Sequence, residues 1–132
     1  MIVYVDTSAL LPLLDRSDDD HASVLAAVRD LASSGATLTT CSYTLVEAGA
    51  LVKRRLGSGA FKKLGETVTD AMDVIWVDAE LHAHAWANAA KHSRHGPSLV
   101  DCVSFIVMHD KGITTALALD EHFRAEGFQI LP

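Results

Sequence analysis

The chain has 132 residues, 49% of them hydrophobic and 21% charged, which is enough for one domain whose core needs no disulfide bonds. Its formal net charge of -6 argues against nonspecific nucleic-acid binding through a broad basic face. A nucleic-acid enzyme whose acidic site is neutralised by a divalent metal is not excluded. No signal peptide is recognisable, and no apolar run approaches the roughly 20 residues of a membrane span. Cys41 and Cys102 form no metal-type pair and are expected to be reduced and packed, which fits the cytoplasm.

The chain begins with a short apolar run, residues 2–5, that stops at Asp6. A continuous run of this kind is typical of a strand buried on both faces of a parallel sheet. Ligands bind open parallel sheets outside the carboxyl ends of the strands, where Asp6 would lie on the central strand. Alternatively, Asp6 only caps the helix that follows, because aspartate is a preferred N-cap residue.

Hydrophobic periodicity and Gly or Pro positions predict the other elements. Helices are predicted at 9–14, 20–33, 42–55, 60–70, 79–91 and 98–111, with a short one before Gly127, and further strands at 37–40, 74–77, 114–119 and 128–131. The alternation of strands and helices predicts a single α/β domain over residues 1–132, with a small, mainly parallel sheet of four to five strands flanked by helices.

Four acidic residues are expected to meet at one edge of this sheet. Asp6 and Asp120 each follow a predicted strand, and Glu47 and Asp101 each lie near the start of an apolar helix. Crossover helices of a parallel sheet start at the edge where the strands end. The four carboxylates should therefore converge.

Asp101 is the strongest of these signals, because its helix is apolar on all sides and an unpaired buried carboxylate is costly. A capping role is the alternative reading. Ser98 followed by Asp101, and Thr44 followed by Glu47, both match the capping-box pattern of a hydroxyl and then an acid three residues on. A capping Asp101 still has free oxygen lone pairs for a metal.

Clustered carboxylates with no lysine or arginine between them repel one another, and a hard divalent cation removes the repulsion. Ligation by oxygen alone suits Mg²⁺ or Mn²⁺. Such a site implies hydrolysis of a phosphodiester by metal-activated water, with one or two ions.

In order and spacing, several motifs together resemble the PIN-domain nucleases, and more narrowly the VapC-type toxins of bacterial toxin–antitoxin pairs. They are DTSAL at 6–10, Glu47, SLVDCVSF at 98–105, LDEHF at 119–123 and Gly127-Phe128. The resemblance implies a three-layer PIN-like fold and a Mg²⁺- or Mn²⁺-dependent endoribonuclease.

The resemblance also assigns roles within the site. Asp6 and Asp101 would be the closest metal ligands, and Glu47 and Asp120 would act through water or at a second ion. Ser8 matches the family's small hydroxyl residue beside the first acid. The family often has Thr or Ser two residues before the fourth acid, where this chain has Ala118, so the support of Asp120 departs from the pattern.

The partners that the resemblance implies are an RNA substrate, an antitoxin whose C-terminal segment blocks the site, and a second copy of the chain in a homodimer. Spacing alone assigns the candidate groove and dimer residues to the core, and this reading is preferred for each of them. They are Leu11, Leu14, Leu45, Leu51, Val52, Phe61 and Leu64.

The loop carrying Lys91, Arg94 and His95 leads directly to Asp101, and it is a candidate for contacts with RNA phosphates. Solvated surface is the equal alternative for this loop and the preferred one for the basic cluster 53–55. All seven histidines are read as non-ligands, because none forms a metal-binding pattern. Trp76 and Trp86 are assigned to the core.

Two other functions remain open from the residues. An aspartyl-phosphate enzyme or receiver would use Asp6 as phosphate acceptor, but the second Asp of the haloacid-dehalogenase pattern is replaced by Ser8. The receiver pattern would require a lysine where the later strand has Asp120-Glu121. A non-catalytic binding module of the same fold is the other alternative. The presence of all four acids argues against it.

Overall fold

The computed structural model describes residues 1–132 as seven helices and five strands. The strands are β1 (Ile2–Val5), β2 (Thr37–Cys41), β3 (Met72–Ile75), β4 (Thr115–Leu117) and β5 (Gln129–Leu131). The helices are α1 (Thr7–Leu14), α2 (His21–Ser33), α3 (Ser42–Leu56), α4 (Ser58–Ala71), α5 (Ala79–Ala90), α6 (Leu99–Lys111) and α7 (Glu121–Ala125).

All five strands are parallel and lie in the order β3-β2-β1-β4-β5, so that β1 is central, as its apolar run predicted. From β1 the sheet grows to one side through β2 and to the other through β4. This reversal of direction opens a crevice at the carboxyl end of β1, which is where ligands bind sheets of this type. Asp6 is the first residue beyond that end.

Helices cover both faces of the sheet and produce a three-layer α/β fold. Because side chains alternate along a strand, Val3 and Val5 of β1 enter one core, with residues of α1 to α4, and Tyr4 enters the other, with residues of α5, α6 and α7. Helix α6 is buried from Asp101 to Met108, which confirms the prediction from its apolar sequence.

Two predicted strands differ from the structure in their limits. The strand predicted at 74–77 is β3 at Met72–Ile75, because α4 runs directly into it without a loop. The strand predicted at 114–119 pairs with its neighbours only at Thr115–Leu117. Asp120 therefore lies at the end of a short connection after β4 and not at the strand end itself.

The assignment of both tryptophans to the core is wrong. Trp76 is 76% exposed, because it follows β3 at the edge of the sheet, where no further strand covers it. Trp86 is 58% exposed on the outer face of α5, where its ring lies 5.6 Å from that of His82. The neighbouring Ala85 faces the core instead.

Cys41 and Cys102 are both free and buried, in agreement with the sequence. None of the helices has the length and apolar character that a membrane span requires.

Candidate metal centre

Asp6 both caps α1 and faces the crevice beside β1. Its Oδ2 accepts hydrogen bonds from the backbone N–H of Ser8 at 3.1 Å and from the Ser8 hydroxyl at 2.7 Å. The residue is only 3% exposed. Its pKa is raised to about 6, mainly by burial; the bonds from Ser8 oppose the rise and the charge of Asp101 adds to it. The capping and site roles that the sequence left as alternatives are therefore compatible.

Asp101 is held by the capping box predicted at the start of α6. The backbone N–H of Ser98 donates to Asp101 Oδ2 at 3.0 Å, and the backbone N–H of Asp101 donates to the Ser98 hydroxyl at 3.1 Å. Burial raises the pKa of Asp101, and the nearby charge of Asp120 adds to the rise. Because α6 leads into the amino end of β4, its own start lies at the opposite edge, beside Asp6.

Asp120 caps α7, with its Oδ1 accepting the backbone N–H of His122 at 2.9 Å. Its side chain is 31% exposed. One ligand atom from each of Asp101, Asp120 and His122 can be chosen so that all three lie within 4.8 Å of one another. The structure thus brings together two of the predicted acids and one residue that the sequence did not assign.

Ser8 joins the first acid to the segment that carries the fourth. Its hydroxyl donates to Asp6 Oδ2 and accepts the backbone N–H of Leu119 at 2.9 Å. Ala118, where the family often has a hydroxyl, is buried in the core, and its N–H donates to Leu131. In this chain the hydrogen bond from Leu119 to Ser8 fixes the connection before Asp120. That segment is therefore supported even though Ala118 replaces the family's hydroxyl residue.

Glu47 lies in the second turn of α3, which starts at the same edge of the sheet because it follows β2 directly. It is half-buried, makes no hydrogen bond or ion pair, and does not belong to the group of Asp101, Asp120 and His122. The capping box predicted for Thr44 and Glu47 does not form. The N-cap residue is Cys41, and the Thr44 hydroxyl is buried against Tyr4 at 3.1 Å.

The predicted RNA-contact residues Lys91, Arg94 and His95 are exposed in the loop between α5 and α6. His122 Nε2 lies 3.2 Å from the backbone carbonyl oxygen of His95, so the loop is tied to the rim of the acidic site. The basic cluster 53–55 lies in the last turn of α3. Since a helix rises about 1.5 Å per residue, that cluster is far from the site, at the other end of a 15-residue helix.

His122 lies beside the acidic group, although the sequence reading treats it, like the other histidines, as a non-ligand. Its side chain lies between the acidic group and the loop, with Nδ1 3.1 Å from Asp120 Oδ1 and 3.8 Å from Asp101 Oδ2. The available signal was its position two residues after Asp120. That spacing alone does not distinguish it from a surface histidine.

The donor set fits a divalent cation. The ion pairs of the molecule include one arginine and no lysine, and that arginine, Arg124, pairs with Glu121. Asp6, Asp101 and Asp120 therefore have no fixed cationic partner other than a protonated histidine. Buried carboxylates with raised pKa values become easier to ionise when a cation binds beside them.

Comparison with known proteins gives a consistent result. Residues 3–128 match the PIN domain family. The chain is 34% identical over 128 residues to the 23S rRNA-specific endonuclease VapC20 of Mycobacterium tuberculosis, covering 96% of this chain and 95% of that protein. The crystal structure of M. tuberculosis VapC20, described as a sarcin-ricin loop cleaving toxin, superposes with a TM-score of 0.85 at 32% identity over 100% of both chains.

A more distant structure shares the fold. VapBC2 of Rickettsia felis has a TM-score of 0.70 at 13% identity over 98% of this chain and 97% of that chain. The comparisons confirm the resemblance to PIN-domain nucleases and VapC-type toxins that the sequence motifs indicated.

Proposed function

The chain belongs to the PIN domain family, and from this premise we propose that it is a metal-dependent endoribonuclease, the toxin of a toxin–antitoxin pair. The observation that supports the proposal most directly is the meeting of Asp101 and Asp120 beside buried Asp6 with no lysine or arginine to neutralise them. An acidic site of this kind is suited to a divalent cation and a phosphodiester substrate.

Asp6 and Asp101 are proposed as the closest ligands of Mg²⁺ or Mn²⁺, with Glu47 and Asp120 acting through water or at a second ion. The bound cation would activate water for attack and neutralise charge on the phosphate. The Ser8 hydroxyl and the Ser98 backbone N–H hold the carboxylates of Asp6 and Asp101 in place by the hydrogen bonds described above. Lys91, Arg94 and His95 are placed to contact the phosphates of an RNA that enters over the loop.

The proposed substrate class is a structured loop of ribosomal RNA, because VapC20, at 34% identity, is named for cleavage of 23S rRNA. An acidic protein gains little from bulk attraction to RNA, and recognition of a folded loop by its shape agrees with the net charge of -6.

The proposed partners are an antitoxin and a second copy of this chain, both within the cytoplasm. An apolar groove of about 380 Å³ lies between α3, α4 and β3, and Leu45, Phe61, Leu64 and Trp76 contribute to its lining. Of the residues suggested for partner contacts, Val52 and Leu64 are buried in the core, and Phe61 is 44% exposed. We assign the groove to an apolar segment of the antitoxin; light scattering would test the homodimer.

The proposal is tested by incubating purified protein, free of antitoxin, with total RNA and with isolated 23S rRNA. Parallel reactions contain Mg²⁺, Mn²⁺ or a chelator. Discrete cleavage that stops with chelator is expected, with 5′-phosphate and 3′-hydroxyl ends, because activated water and not the ribose 2′-hydroxyl is the nucleophile.

A cyclic phosphate product would contradict this mechanism. No cleavage with any metal would contradict the nuclease function and would favour a non-catalytic binding module.

A further inference from the structure

His122 projects from the first turn of α7 toward two of the site's carboxylates. Its Nδ1 lies 3.1 Å from Asp120 Oδ1 and 3.8 Å from Asp101 Oδ2. The residue is not one of the four acids on which the function rests. Its position nevertheless makes it the third corner of the compact donor group.

The contact made by Nε2, the other ring nitrogen of His122, fixes the tautomer of the neutral ring. Nε2 lies 3.2 Å from the backbone carbonyl oxygen of His95. A carbonyl oxygen only accepts, so Nε2 carries the hydrogen and donates it. The neutral imidazole then presents a lone pair at Nδ1, on the side that faces Asp101 and Asp120.

The Nδ1 atom is buried and has no hydrogen-bond partner, although Asp120 is near. A buried polar atom without a partner is costly, and such an atom requires an explanation. Histidines that bind metals usually donate their second ring N–H to a carboxylate, a water or a backbone carbonyl, which orients the ring. The bond to His95 is of this kind.

We propose that His122 is a direct nitrogen ligand, through Nδ1, of the divalent cation of this acidic site, on the side where Asp101 and Asp120 lie. This inference rests on the proposed function, because the cation is the same one. It changes the chemistry of the site from oxygen alone to mixed nitrogen and oxygen. Both Mn²⁺ and Mg²⁺ bind carboxylate oxygen, but Mn²⁺, as a transition metal, accepts an imidazole nitrogen more readily than Mg²⁺ does, so His122 favours Mn²⁺ over Mg²⁺.

The hydrogen bond to His95 gives the same residue a second consequence. The imidazole ring of His122 contacts Asp120 through Nδ1 and the loop with Lys91 and Arg94 through Nε2. One side chain therefore connects the proposed cation to the proposed RNA-contact loop. Loss of the ring would remove a ligand and release the loop together.

The test uses calorimetric titration of the full chain with Mn²⁺ and with Mg²⁺, and pulsed electron paramagnetic resonance of the Mn²⁺-bound protein. The variants are His122→Ala and, as a matched control, His84→Ala, an exposed histidine on α5. A nitrogen coupling to Mn²⁺ is expected in the wild type and in His84→Ala. In His122→Ala it should be absent, Mn²⁺ affinity should fall by at least about tenfold, and Mg²⁺ affinity should fall less.

Labelling the wild-type protein with ¹⁵N-histidine makes the test independent of how the variant folds. The coupling must then change from the ¹⁴N to the ¹⁵N pattern. A merely structural role for His122 would leave Mn²⁺ without any nitrogen coupling.

The outcomes separate the two proposals. Tight Mn²⁺ binding without nitrogen coupling in the wild type overturns the role of His122 and leaves the metal-dependent nuclease intact. Equal losses of Mn²⁺ and Mg²⁺ affinity in a folded His122→Ala overturn the claim of selectivity. Failure of the wild type to bind either ion overturns this inference together with the proposed function.

Discussion

Helices α6 and α3 carry the same local pattern at their starts, a hydroxyl residue followed three residues later by an acid, yet they use it differently. In α6 the pattern folds as a reciprocal capping box that fixes Asp101. In α3 the hydroxyl of Thr44 is buried against Tyr4 of the central strand, and Glu47 is left without a hydrogen bond. A loop precedes α6, whereas α3 continues directly from β2, which places Thr44 inside the helix.

The difference divides the acids of the site into those fixed by local hydrogen bonds and one that is free. Hydrogen bonds within the chain already orient Asp6 and Asp101, so the proposed cation would need little further ordering of these side chains. Glu47 is half-buried and can adjust, as suits a residue that acts through water or at a second ion.

The largest effect is expected from Asp101→Asn, which keeps the shape of a fixed acid and removes its charge. RNA cleavage should fall by more than about 100-fold, because even the outer partners of a metal ligand are worth about 10- to 100-fold. Rates of 23S rRNA cleavage would measure it. Asp110→Asn, an exposed position on the same helix, is the matched control and should leave the rate unchanged. Full activity in a folded Asp101→Asn would remove this residue from the site.

Asp6→Asn should stabilise the protein when no metal is present. The pKa of Asp6 is raised to about 6, mainly by burial, because the folded protein favours the protonated carboxyl group. The stability that this preference contributes is complete below the pKa of Asp6 in the unfolded chain, near 3.8, and is lost as the pH rises through 6. At pH 8 with chelator, the variant's free energy of unfolding should be higher by about 3 kcal/mol. The difference should vanish below about pH 4.

Denaturant unfolding of Asp6→Asn and wild type across this pH range would measure the effect. A gain that is the same at pH 4 and pH 8 would show that ionisation of Asp6 is not its source. Saturating Mn²⁺ should reverse the order of stability, since the ion binds the wild type more tightly.

Ser98→Ala removes half of the capping box and tests how far fixing Asp101 matters. Loss of an N-cap side chain costs about 1 kcal/mol of stability. Cleavage should fall by about tenfold, because Asp101 loses the contact that holds its helix turn. Ser93→Ala, at an exposed position in the loop before α6, should change neither the stability nor the cleavage rate. Thermal unfolding with paired rate measurements would decide, and unchanged activity would mean that the box only caps the helix.

The smallest effect on stability is expected from Glu47→Gln, the free acid. The free energy of unfolding of this variant should stay within about 0.5 kcal/mol of the wild-type value, because the Glu47 side chain makes no hydrogen bond or ion pair. Cleavage should nevertheless fall by at least about tenfold if Glu47 acts at the cation. Glu66→Gln, exposed on α4, is the comparison variant. A stability loss above 1 kcal/mol would show that Glu47 is a structural residue after all.

Much of the fold follows from signals within a few residues of one another. The apolar run before Asp6 marks the central strand, the uniform apolar character of α6 marks a buried helix, and Ser98 with Asp101 marks that helix's start. Each signal depends on chain-local geometry, namely strand alternation, helix periodicity and capping bonds. The meeting of Asp101 and Asp120 beside Asp6 then followed from parallel topology, whereas Glu47 lies outside the compact donor group.

The sequence by itself therefore determined the α/β class, the central strand and the local capping of Asp6 and Asp101. Only the tertiary structure decided that Ser8 supports Leu119, that Thr44 bonds Tyr4 and that His122 joins the acidic group to the loop at His95. It also decided that Trp76 is exposed. These outcomes depend on which segments, distant in sequence, come into contact. The residues next to a hydroxyl, an imidazole or an indole in the sequence do not show which partner that group will contact after folding.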